Sequence, residues 1–127
     1  MALFIHSTDD GHVAPFEYKT AATGAYTLGQ LLVEDAGVLK TAAGTADEGA
    51  HYVCMANVTI KEGDLLPCIS AQPGIIFEAP LATSGALSVG ESYTVVDGKV
   101  TSATGGCFRV TETEGAVAGD AIRGVIA

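Results

Sequence analysis

Short runs of β-branched, aromatic and other apolar residues alternate along this chain with Gly, Asp and Pro, and turn signals recur at roughly the 8–12-residue spacing of all-β proteins. Within the runs, apolar and polar positions alternate: Ile75, Phe77 and Ala79 point one way while Ile76 and Glu78 point the other. In the same way, Phe108 and Val110 oppose Arg109, so the sequence predicts that Phe77 and Phe108 are core residues. Strands are predicted over residues 51–57, 64–70, 75–79, 92–96, 107–111 and 121–126. This pattern predicts an all-β fold, a single small β-barrel or β-sandwich over residues 19–127.

Two segments, residues 28–44 and 89–105, resemble each other, and both are predicted to be β-hairpins. In the second, Asp97-Gly98 predicts a two-residue type I′ turn, because that turn needs positive φ at both central positions. In the first, Asp35-Ala36-Gly37 allows a longer turn with Gly in the left-handed position. A further repeat, Glu62-Gly63-Asp64 and Gly119-Asp120, precedes an apolar run each time. These matches predict hairpins joined by turns, but they are too short to prove a duplicated domain.

Residues 1–18 differ from the rest of the chain and are predicted to be an N-terminal arm or an edge segment. Residues 6–12 are polar and turn-prone, and Pro15 cannot donate to a strand ladder, which confines its neighbours to an extended or edge position. As an arm, the segment would be dispensable for folding and would bury its large apolar side chains against a neighbouring subunit. The residues predicted to carry this assembly contact are Phe4, Ile5, Phe16 and Tyr18.

The charge balance argues against several partners. Six Lys and Arg residues against 15 Asp and Glu residues give a formal net charge of -9, so nucleic acid is disfavoured, and the basic residues are too scattered to follow an anionic membrane surface. The N-terminus lacks the features of a signal peptide, and no apolar run approaches the roughly 18 residues that a membrane span needs. Synthesis in a cytoplasm is therefore expected. A mean hydropathy of +0.36 indicates either surface buried between subunits or simply the many Ala and Gly residues.

Candidate chemistry is sparse in the sequence. The cysteines, Cys54, Cys68 and Cys107, form an odd set without C-x-x-C spacing, so reduced thiols are the simplest expectation. A Cys/His nucleophile pair would need His51 or His12, yet His51 begins a strand and is expected to be solvent-facing or capped. No catalytic residue and no cofactor is predicted.

One cluster has the residue types of a metal site. His6, Asp9, Asp10 and His12 share a short loop, and imidazole and carboxylate groups can bind a divalent metal. The alternative is a solvated turn, which loops of Asp, Gly and His more often form. No metal ligand is assigned from this spacing.

The opening stretch, MALFIHSTDDGHVAPFEY, resembles prophage proteins of Firmicutes that are found among head genes. The Gly-punctuated hairpins, residues 33–39 and the closing residues 118–126 are similar to those of small bacteriophage capsid decoration, or cement, proteins. This resemblance implies a small β-barrel or β-tulip-like domain, often a homotrimer, which binds the outside of a mature capsid and has no catalytic residues. The expected partners are further copies of the chain and the major capsid protein, and the expected location is the exterior of the virion.

Two functions of other classes stay open. The first is a non-catalytic binding module of a phage particle that recognises a carbohydrate or a host surface. The second, a small hydrolase that uses a cysteine, has the least support in the sequence.

Overall fold

The computed structural model describes residues 3–8, 16–45, 48–72 and 74–126, and these form antiparallel sheets with no helix among them. The all-β prediction is confirmed, and each of the six predicted strands is present with small differences at its ends. The strands are β1 (Phe4–Thr8), β2 (Glu17–Thr20), β3 (Gly24–Tyr26), β4 (Leu31–Asp35), β5 (Val38–Thr41), β6 (His51–Cys54), β7 (Val58–Ile60), β8 (Leu65–Ser70), β9 (Ile75–Pro80), β10 (Ser92–Val96), β11 (Lys99–Thr104), β12 (Phe108–Thr113) and β13 (Ala121–Ile126).

A five-stranded sheet of order β2-β8-β6-β4-β5 closes on itself to form the first barrel. The closure is a parallel bridge between Ala21 and Leu39, supported by a hydrogen bond of 2.8 Å from the Ala22 N–H to the Leu39 carbonyl. The short β3–β7 pair adds Tyr26 and Ile60 to the barrel interior. That interior holds Ala21, Tyr26, Leu32, Leu39, Tyr52, Cys54, Ile60, Leu66 and Cys68.

The remaining strands form a six-stranded sheet of order β1-β9-β13-β12-β10-β11. Leaving β1 aside, the two outer strands of this sheet are β9 and β11, and a parallel bridge between Leu81 and Val100 joins them. The Ala82 N–H also donates a hydrogen bond of 2.8 Å to the Val100 carbonyl. Strands β9 to β13 therefore make a second barrel. Strand β1 pairs antiparallel with the other edge of β9, and Ile5 lies opposite Phe77.

The two barrels are copies of one unit. Their strands run in the same order, β2-β8-β6-β4-β5 and β9-β13-β12-β10-β11, and they pair in the same register: Glu17 with Cys68 and Phe77 with Gly124 occupy matching positions. The glycines with positive φ also match, Gly29, Gly37, Gly44 and Gly63 corresponding to Gly90, Gly98, Gly105 and Gly119. The short sequence repeats are thus the turns of a duplicated fold, which the sequence matches had been too short to prove.

Both hairpins end in two-residue turns. Asp97 and Gly98 have φ values of 53° and 74°, which confirms the predicted turn with two positive φ angles. Ala36 and Gly37 have nearly the same values, 53° and 82°, and Asp35 pairs directly with Val38. The longer turn expected in the first hairpin is therefore wrong, because an Ala occupies the left-handed position that was expected only of Gly.

The described parts of the N-terminal segment belong to two different sheets, the edge of the six-stranded sheet and the closed first barrel. Phe4–Thr8 is β1, Leu3 is buried in the core, and Glu17–Thr20 is β2 of the first barrel. The boundary drawn from the sequence between residues 18 and 19 lies inside β2. Residues 9–15 are outside the described part of the chain.

The barrels and β1 pack into one body. Leu31, Val53 and Ile69, on the outside of the first barrel, share a buried core with Phe77 and Phe108 of the second, and both Phe side chains are fully buried as predicted. Close backbone approach adds to this packing. A Cβ on Gly44 would lie 2.4 Å from the carbonyl oxygen of Val95, so this contact between the barrels requires Gly.

Candidate functional site

The candidate site is on the outside of the first barrel. It forms because side chains along β8 point alternately into the barrel and out of it. Leu66 and Cys68 point into the barrel, so Leu65, Pro67 and Ile69 point out. On the neighbouring strand, Tyr18 pairs with Pro67 and belongs to the same outer surface. A strip of apolar side chains therefore runs along β8 and β2.

Part of this surface is covered by β1 and part is open to solvent. Where it is covered, a cavity of about 300 Å³ lies between β1 and the barrel. Its walls are Leu3, Phe4, Ile5, Leu28, Val53, Met55 and Ile69. Phe4 and Leu28, which line the cavity, are 43% and 49% exposed. Leu65 on β8 and Tyr18 on β2 are 55% and 64% exposed. We call the surface formed by Phe4, Leu28, Tyr18, Leu65 and Pro67 the apolar face.

The four residues predicted to carry assembly fall into two groups. Phe4 and Ile5 are on β1 and line the cavity, although Ile5 is partly buried against the core. Tyr18 is on β2 next to Pro67, and Phe16, half exposed, lies two residues before it. The strands that carry Phe4 and Tyr18 belong to different sheets.

Sequence reasoning missed Leu28, Leu65 and Pro67. The alternation in residues 65–69 was a usable signal, because it separates Leu65, Pro67 and Ile69 from Leu66 and Cys68. It does not tell which of two apolar sets faces a core. Only the pairing with β2 and β6 decides that.

The equivalent surface of the second barrel is charged. Glu78 occupies the position of Tyr18, and Arg123 the position of Pro67. The Arg123 guanidinium donates to Glu78 at 2.9 Å and to Glu114 at 2.7 Å, and it lies 3.1 Å from Glu112. Two barrels with one backbone thus present an apolar face and an ion-pair network at matching positions.

His51 is buried, so the expectation that it faces solvent is wrong. Its Nε2 lies 2.8 Å from Glu48 Oε1, and the same carboxylate accepts hydrogen bonds from the backbone N–H groups of Ala43 and Gly44. Burial opposes the charge on Glu48, but the hydrogen bonds from His51, Ala43 and Gly44 outweigh it and hold the pKa of Glu48 below its ordinary value. His51 and Glu48 therefore secure the loop between β5 and β6.

The three cysteines are free thiols in apolar surroundings. Burial raises the pKa of Cys54, and it raises the pKa of Cys68 to about 11 and that of Cys107 to about 12. The thiolate, which is the nucleophilic form, is accordingly scarce at neutral pH at all three positions.

Of the four residues with the types of a metal site, only His6 lies within the described part of the chain. His6 is exposed on β1, with its Nδ1 3.2 Å from Ser7 Oγ, whereas Asp9, Asp10 and His12 lie outside the described residues. Within residues 3–8, 16–45, 48–72 and 74–126, no group of three His, Cys, Asp or Glu side chains is arranged to hold a metal ion. The same ranges contain no helix long and apolar enough to cross a membrane.

No family model matches the sequence, and no curated protein matches it.

Proposed function

We propose that this protein is a structural virion protein that decorates and stabilises a phage capsid, binding its outer surface as a homotrimer. The observation that carries the proposal is the apolar face on the first barrel. The charged surface at the matching positions of the second barrel is the internal reference, because it has the same backbone but pairs Arg123 with Glu78, Glu112 and Glu114.

An exposed apolar face of this kind is typical of a surface that another protein covers. Full burial of a large apolar side chain is worth about 1.5–3 kcal/mol, and Phe4, Leu28, Leu65 and Tyr18 each keep a large part of their surface exposed. The cavity beside Phe4 would accept an apolar side chain of a partner. The major capsid protein and a neighbouring copy of the chain are the partners that we propose for this surface.

The net charge supports the outer side of a shell. With a formal charge of -9, the chain is repelled by packaged nucleic acid at long range, so a position facing the interior is disfavoured. The proposal also rests on the resemblance, expected from the sequence alone, of the opening stretch to prophage proteins found among head genes.

The test is co-sedimentation with mature capsids assembled from the major capsid protein of the same head-gene cluster. We expect the wild-type protein to sediment with capsids and light scattering to give the mass of a trimer. Leu65→Lys and Tyr18→Lys should reduce capsid binding at least tenfold, because each places a charge in the apolar face. Ala121→Lys is the matched control, since Ala121 holds in the second barrel the position that Leu65 holds in the first.

Thermal melting followed by circular dichroism checks that each variant folds. The proposal fails if the wild-type protein does not sediment with capsids. It also fails in its assignment of the binding surface if Leu65→Lys and Tyr18→Lys fold and bind as the wild type does.

A further inference from the structure

Two of the three cysteines face each other inside the first barrel. Cys54 on β6 is the direct cross-strand partner of Cys68 on β8, and both side chains are fully buried. Both belong to the interior cluster of that barrel, so they lie on the same face of the sheet.

The backbone hydrogen bonds define the type of this pair. The Met55 N–H donates to the Pro67 carbonyl at 3.0 Å, and the Ala71 N–H donates to the His51 carbonyl at 3.0 Å. Together with the register of β6 and β8, these bonds make Cys54 and Cys68 a non-hydrogen-bonded pair. In such pairs the Cα atoms are about 4.5 Å apart, which is within the range of about 4.4–6.8 Å that a disulfide spans.

The second barrel shows that the fold does not need thiols here. Val110 and Gly124 occupy the matching positions and are likewise cross-strand partners. Cys107, the remaining thiol, begins the segment that leads into β12 and is buried in the other core, apart from Cys54 and Cys68. A facing pair of thiols is therefore specific to the first barrel.

We propose that Cys54 and Cys68 form a cross-strand disulfide when the chain meets a small disulfide oxidant such as oxidised glutathione. One cysteine thiolate attacks a sulfur of the oxidant and releases one reduced glutathione, which leaves a mixed disulfide on the protein. The second cysteine then attacks the protein sulfur of that mixed disulfide and releases a second reduced glutathione. Two protein thiols are oxidised and one glutathione disulfide is reduced to two thiols, so the step balances. This inference does not depend on the proposed capsid function.

The bond would fix the register of β6 and β8, the strands that present Val53, Leu65 and Ile69. Because both sulfurs are shielded from solvent, oxidation of the folded barrel should be slow, and the bond should form most readily while the chain folds.

The test is refolding of the full chain from denaturant in a buffer of reduced and oxidised glutathione. We expect one free thiol per chain by thiol titration under denaturing conditions, and a peptide map that links the Cys54 and Cys68 peptides. The oxidised protein should melt several degrees higher than the same protein after reduction. Cys107→Ser should keep the bond, whereas Cys54→Val should lose it, and Val is the residue that the second barrel has at this position.

Three free thiols after refolding in fully oxidising buffer would overturn the inference, as would glutathione adducts at Cys54 and Cys68 without a link between them. A disulfide that includes Cys107 would overturn it as well. The peptide map of the wild-type chain decides the matter even if a variant does not fold.

Discussion

The two barrels have the same backbone fold but differ in the side chains on their outer surfaces. Matching strands pair in the same register and matching turns have the same positive φ angles, yet the outer strip of the first barrel has Tyr18 and Pro67 where the second has Glu78 and Arg123. The comparison shows that interior packing and turn geometry specify the fold. The outward positions are free to differ, and they form an exposed apolar face in one copy and an ion-pair network in the other.

The interiors differ for a related reason. In the second barrel, Phe77 is fully buried, and it pairs with Ile5 of β1. In the first barrel, Glu17 holds the matching position, and Lys19 forms an ion pair with Glu34 and lies 4.9 Å from the ring centroid of Tyr52. Charged residues are tolerated there because about a third of each side chain in the Lys19–Glu34 pair stays in solvent, 27% and 30% respectively.

The largest expected effect tests this difference between the interiors. Phe77→Ala should reduce the free energy of unfolding by about 3–5 kcal/mol, because it removes a fully buried ring from a closed core. Glu17→Ala, at the matching position of the first barrel, should change it by less than about 0.5 kcal/mol. Denaturant unfolding measures both values. Equal effects would contradict the assignment of one position as core and the other as surface.

The next effect concerns β1, which only the second barrel has. Leu3→Ala should cost about 2–4 kcal/mol of folding stability, because Leu3 is buried in the core that the two barrels share. Phe4→Ala, one residue further along and partly exposed, should cost much less, and on the proposed function it should weaken capsid binding. If Leu3→Ala leaves the melting temperature unchanged, β1 is dispensable for folding, as an arm would be.

The dependence of folding stability on pH should distinguish the loop before β6, which contains Glu48, from the shorter loop before β12. Because hydrogen bonds lower the pKa of Glu48 in the folded state, the stabilisation is fully present above the ordinary value of 4.5 and is lost as the pH falls through the folded-state pKa below it. We expect the free energy of unfolding to fall in that acidic window, because protonation of Glu48 weakens the hydrogen bonds that it accepts from Ala43 and Gly44. Glu48→Gln should flatten this part of the stability profile. A variant whose profile matches that of the wild type would remove Glu48 from the explanation.

The smallest effect tests the equivalence of the two hairpins. Gly98→Val and Gly37→Val should each destabilise the protein by roughly 1–2 kcal/mol, since a β-branched residue is strained at positive φ. The two losses should be similar, because the turns have nearly the same φ angles. Thermal melting of both variants measures this, and an unchanged melting temperature for either would contradict its turn conformation.

Local chemistry in the sequence determined the strands, the Asp97-Gly98 turn and the inward set of β9. An alternation of period two and a Gly at positive φ are properties of a few neighbouring residues, so they can be recognised without the rest of the chain. The same reasoning placed Cys54 and Cys68 in apolar strands, where the structure has them.

Tertiary structure decided which strands and which side chains lie next to each other. Local patterns do not encode the contacts that close the two barrels, Ala21 with Leu39 and Leu81 with Val100. Nor do they encode the burial of His51 against Glu48. Alternation divides a strand into two faces, but both faces of β8 are apolar. Packing against β1 and the second barrel covers one end of the outer face of β8 and leaves Leu65 exposed. The apolar face and the Cys54–Cys68 pair therefore appear only once the strands have been placed side by side.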